Sequence, residues 1–118
     1  MNTTTPEELR RSLPADFNPR VSLWLRAVGL ERAAIEREPG RDSALVPDAD
    51  GHSLPWSILF SEWIMAQWKA WAASLGFTRN GGYAAHEHAQ FAGHTHAEFD
   101  AWLVDRVAAD LTPARGRA

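Results

Sequence analysis

"WSILFSEWIMAQWKAWAASL", residues 56–75, decides the fold. At helical spacing it puts Trp56, Leu59, Phe60, Trp63, Ile64, Ala70 and Trp71 on one broad face, with Trp68 and Leu75 at its edge. Ser53 reads as the N-cap, Pro55 falls in the first turn and Gly76 is the stop, so the stretch predicts a core helix touched by neighbours on several sides. Trp63 lies in the middle of its buried face. A membrane span is excluded by Glu62, Gln67 and Lys69 inside the run, because a charge at the bilayer centre costs about 2.5–3.5 kcal/mol. The polar strip also lacks the basic residues of an interfacial helix.

Two positions on this helix depart from a simple amphipathic pattern. Gln67 sits within the apolar face, where a buried amide needs a loop carbonyl or an indole N–H as partner. Ile58 and Met65 fall on the opposite side and interrupt the strip that holds Glu62 and Lys69. They predict a second contact surface, open to another protein or another copy of the chain.

Outward from this helix, the punctuation marks others. Thr5-Pro6-Glu7-Glu8 supplies a cap, a proline at the first helical position and a capping-box glutamate, opening a short helix that ends before Pro14. Asn18-Pro19 opens a second, whose stripe of Val21, Trp24, Leu25, Val28 and Ile35 contains Arg32 and is interrupted by Gly29. A bend or a split into two helices is expected there. The last helix starts at the Thr95 cap with Glu98 completing a capping box, and runs to about Leu111 on a stripe of Phe99, Leu103, Val104, Val107 and Leu111. Trp102 falls off that stripe and reads as covered by the chain or as part of a binding patch.

Residues 39–55 read as a long surface connection. Its "DADG" is a plain Asp/Gly turn rather than a calcium loop, since alignment on Gly51 puts Val46 and Ser57 at the two essential acidic positions. Asn80-Gly81 signals at most one minor hairpin near residues 78–84.

Four of the five histidines crowd into "HEHAQFAGHTH", residues 86–96. His86 and His88 chelate one ion only if the backbone there is extended, because two residues apart on a helix they point about 200° apart. A helical turn or two before Gly93 is the competing expectation. His94, His96 and Asp100 complete the candidate ligand set, for which zinc or nickel is the matching metal. The spacing follows no established zinc signature. The histidines are therefore expected to diverge, with His96 against the last helix's stripe and the others near the surface.

Composition narrows the function classes. The absence of cysteine removes thiolate metal sites, disulfides and cysteine nucleophiles. A net charge of −3, with Lys69 the single lysine, leaves no dense basic face for nucleic acid. The opening "MNTTTPEELRRSLP" has no apolar run behind a basic one, which predicts no secretory signal and a cytoplasmic location. Phosphate-loop, dinucleotide and nucleophile-elbow motifs are missing as well.

The sequence thus predicts one all-α domain over residues 1–118, a small bundle of four or five helices with frayed ends at 1–4 and 112–118. Its expected function is non-catalytic protein binding, of the adaptor, assembly-factor or inhibitor type, without a cofactor. Ile58, Met65, Trp68 and Trp102 are the expected contact residues, and a homo-oligomer is within this expectation. Size and acidity parallel small phage-encoded chaperones and inhibitors, by composition alone. The alternative is a metal-binding protein or metal-dependent hydrolase built on His86, His88, His94 and His96.

Overall fold

The structure is a computed structural model that describes residues 4–36, 44–77 and 84–111. It contains α1 (Pro6–Ser12), α2 (Pro19–Val28), α3 (Arg32–Ile35), α4 (Trp56–Ser74), α5 (Ala85–Phe91) and α6 (His96–Leu111), with strands β1 (Leu45–Pro47) and β2 (Ser53–Pro55). The domain is compact and mostly helical; α3 is a single turn, which accounts for six helices where four or five were expected.

The caps form as their chemistry demands. Thr5 Oγ1 accepts from the Glu8 amide at 3.1 Å, Asn18 Oδ1 accepts from Arg20 and Val21, and Thr95 Oγ1 accepts from Glu98 at 3.2 Å. The Gly29 break is a split: α2 ends there with φ 76° and α3 follows. Arg32 leaves the apolar stripe to pair with Asp16 at 3.1 Å and Glu36 at 2.8 Å while covering the Phe17 ring. Its hydrogen bond and then its charge hold the Asp16 carboxyl below the usual carboxylate range. That small contribution to stability is present above the usual carboxylate range and is lost as pH falls through the lowered value.

The ends of α4 and α5 repeat one device. Phe77 N–H returns to the Ala72 carbonyl and Gly76 N–H to Ala73; likewise His94 N–H returns to Ala89 and Gly93 N–H to Gln90. These are Schellman closures, with Gly76 at φ 89° and Gly93 at φ 100° supplying the left-handed residue. The two residues that follow the glycines, Phe77 and His94, then meet with ring centroids 6.0 Å apart.

Residues 39–55 were expected to be a bare connection, but 45–55 form an antiparallel hairpin in which Val46 pairs with Leu54. The "DADG" turn closes it: Asp48 Oδ1 accepts from the Asp50 and His52 amides at 2.9 Å each. The ladder runs directly into α4, with Trp56 N–H donating to the Ala44 carbonyl at 2.9 Å. Ser53 is therefore a strand residue and not the helix cap, which is Pro55, without a side-chain cap bond. The hairpin expected near 78–84 lies outside the described residues apart from Ala84.

Two apolar clusters make up the core. One joins Leu9, Leu23, Trp68, Trp71, Ala89 and the α6 residues Phe99, Leu103, Val104, Val107 and Ala108. The other joins Val21, Trp24, Leu25, Ile35 and Val46, against which Trp56, Leu59 and Phe60 pack. Helix α2 lies between them, and Val21 to Leu25 are all buried. Trp63 touches both clusters and stays half-buried. Helix α4 thus uses two faces in succession: its first half turns Trp56, Leu59 and Phe60 to one cluster, and its second half turns Trp68 and Trp71 to the other, roughly 100° further round.

Gln67 was expected to find a buried partner, yet its Oε1 has none among the described residues. An uncompensated carbonyl oxygen in this position costs about 1–3 kcal/mol. Gln67→Leu is accordingly expected to raise the unfolding free energy by about 1 kcal/mol, read as a higher urea midpoint, with the helical circular dichroism signal unchanged. Trp71→Ala, which empties a site only 2% exposed, is expected to cost about 3–5 kcal/mol in the same measurement, and the half-buried Trp63→Ala less.

Candidate functional site

Helices α2, α4, α5 and α6 meet at one indole. Trp68 stacks on Phe99 with centroids 3.7 Å apart and planes 10° from parallel, while the rings of His86 and His96 each lie 5.2 Å from it. Arg20 from α2 places its guanidinium 5.2 Å from both the Trp68 and the Phe99 centroids, and Asp100 Oδ1 fixes it at 2.7 Å. Trp68 is only 8% exposed, so it is an interior residue and not the contact residue expected from the sequence. The helical wheel put it at the edge of a single stripe; the turn of the buried face along α4 brings it to the centre of the second cluster.

The histidines diverge. Residues 86–88 are helical, so the His86 and His88 side chains point to different sides of α5 and the extended chelating geometry is absent. His94 Nδ1 pairs with Glu98 at 2.7 Å and its ring lies 6.2 Å from Trp71. His96 hydrogen-bonds to the Gln90 side chain and Asp100 is taken by Arg20. Two details differ from the sequence reading: His86 packs against Trp68 rather than lying at the surface, and His96, although against that same ring, is on the exposed side of the α6 start. The role of Arg20 carried no local sequence signal, since Asp100 is 80 residues away and only the fold brings it near; Gln90 and Glu98 act on histidines six and four residues away, pairings that the capping-box reading of Glu98 did not include.

Among the described residues, the group of three potential ligands with donor atoms mutually within 4.8 Å is instead Asp48, Asp50 and His52 on the hairpin turn. Asp48 Oδ1 there already serves the turn's own amides.

Ile58 and Met65 are exposed on the side of α4 where the sequence places them, whereas Val28, expected in the apolar stripe of α2, is exposed as well. Ile58 is 46% and Met65 54% exposed, both on the outer side of α4, with Glu62 and Lys69 exposed between and beyond them. Beside Met65 a groove of about 400 Å³ runs between α4 and the start of α5, lined by Ala66, Lys69, Ala73, Phe77, Ala84 and His86. On the other flank a wider hollow of about 630 Å³ separates α4 from the hairpin, with Trp24, Val28, Leu59 and Trp63 in its walls and Glu62 and Asp48 on its rim. Trp102 is half-buried, stacked 6.1 Å from Phe99 with Arg106 above its ring. No described helix is long and apolar enough to cross a membrane.

No protein family, no curated protein and no solved structure matches this chain.

The divergent histidines generate a simple expectation. Zinc or nickel at a hundredfold excess over a genuine site's dissociation constant would stabilise the fold by about 2.7 kcal/mol. Here His88→Ala with His96→Ala is expected to leave the response of the melting temperature to either metal unchanged from that of the parent protein, as read by calorimetry.

Proposed function

We propose that this chain is a non-catalytic protein-binding module whose contact surface is the outer side of α4. The observation that carries this reading is the pair Ile58 and Met65, two large apolar side chains about half exposed on a helix whose other faces pack against both core clusters. Isolated surface apolar residues are ordinary. These two share one helix side, and Met65 borders a groove with further apolar walls, which is the arrangement of a contact patch. Half-buried Trp102 and the exposed Arg106 above it form a second, smaller feature on α6 and contribute in a lesser role.

A metal-dependent reading has less to support it. Its side chains are committed to Gln90, Glu98, Arg20 and the Trp68 ring rather than to one point.

Ile58→Asp with Met65→Asp tests the module. Both positions are exposed, so the double variant is expected to keep its helical circular dichroism and to shift stability by less than about 1 kcal/mol, while losing the protein contact in cross-linking of the purified components. Binding that survives this double change would end the assignment of the face.

A further inference from the structure

The outer side of α4 is complementary to itself. Glu62 and Lys69 lie on it two turns apart, both exposed, and neither forms an ion pair or hydrogen bond with any described residue. At about 10 Å along the helix they are too far apart to satisfy one another. Yet they stand at equal distances from the midpoint between Met65 and Ala66, and so do Ile58 and Ala73.

We propose that this face binds a second copy of the chain, α4 against α4, antiparallel about a two-fold axis through Met65 and Ala66. Such an axis sets Glu62 opposite Lys69 of the second copy, and Lys69 opposite its Glu62, on the same flank of the helix pair. Met65 meets its own symmetry mate at the centre. Ile58 comes level with Ala73 of the second copy, beside the groove that Phe77 and Ala84 border. Exposed Ala66 and Ala73 let the two backbones approach closely. This is the isologous form of contact, in which every pair occurs twice. A parallel pairing in register would instead put Glu62 on Glu62 and Lys69 on Lys69, so the charges select the antiparallel sense.

The occupant is thereby specified within the function proposed above, on which this inference rests. Helix α4 has 19 residues, about 28 Å of length, and one helix pair of that size buries less than the roughly 800 Å² per partner of a standard interface. A contact of this size belongs with small, transient interfaces, so the association is to be sought in the micromolar range.

Sedimentation velocity of the full chain from about 1 to about 300 μM reads the equilibrium directly. The parent protein is expected to pass from monomer to dimer, more weakly as salt rises. Lys69→Glu alone and Glu62→Lys alone, each confronting like charges twice, are expected to weaken the dimer at least about tenfold; Glu62→Lys with Lys69→Glu together restores it to within about threefold. All are surface changes checked by unchanged circular dichroism. A chain that stays monomeric throughout overturns the dimer. A dimer that Ile58→Asp with Met65→Asp abolishes but the charge reversals leave untouched overturns this pairing while the contact face itself stands. A dimer indifferent to every one of these changes overturns both.

Discussion

The architecture depends on the stacking of Trp68 against Phe99. It is the point where four helices converge: α4 supplies the indole, α6 the phenyl ring, α2 the guanidinium of Arg20 and α5 the imidazole of His86. An indole offers an apolar body for burial and a π-face that attracts a cation, so one side chain accommodates both the ring and the guanidinium. Asp100 supplies the counter-charge from the turn of α6 next to Phe99, which lets Arg20 approach the rings without an uncompensated charge. Arg20 thereby adds one directed link between α2 and α6 to their apolar packing.

A second consequence is the division of α4. A helix buried along a single stripe belongs to one core, whereas this helix turns one face to the hairpin side and another to α6, and Trp63 spans the transition. Burial of opposite flanks of α2, from Val21 to Leu25, completes the arrangement. The outer side of α4 is left over by that geometry: the hairpin, α2, α5 and α6 take its other sides, and Ile58, Glu62, Met65 and Lys69 remain in solvent.

Helix starts and the α6 stripe were legible because they are local. Thr5, Asn18 and Thr95 need only the next three residues to declare themselves, and Phe99, Leu103, Val104 and Val107 repeat at a spacing that points to one neighbour. The hairpin was not, because three-residue strands show no alternation and Pro47 and Pro55 argue against pairing; Asp48 closing the turn was its one cue. Trp68 was misplaced for a different reason. A helical wheel assumes that the buried direction is constant, and along α4 it is not. Of the candidate site, the exposure of Ile58 and Met65 followed from the periodicity alone, while the packing of His86 and His96 on the Trp68 ring is long-range and has no signature in any window of sequence; the partners of His94 and His96, Glu98 and Gln90, are near in sequence but are reached across a helix boundary.

The six tryptophans also give the fold an optical identity. Trp24 and Trp56 stand 6.0 Å apart in one cluster, and Trp68 and Trp71 stand 5.6 Å apart in the other. At such separations the electronic transitions of paired indoles couple, and a coupled pair of fixed geometry produces a signed doublet in circular dichroism that vanishes when the rings rotate freely. Each half of the core therefore carries its own chromophore pair, one on the hairpin side and one at the Arg20 junction. Loss of order in either half removes its share of this signal without a label, so the domain reports from within on the packing of its core.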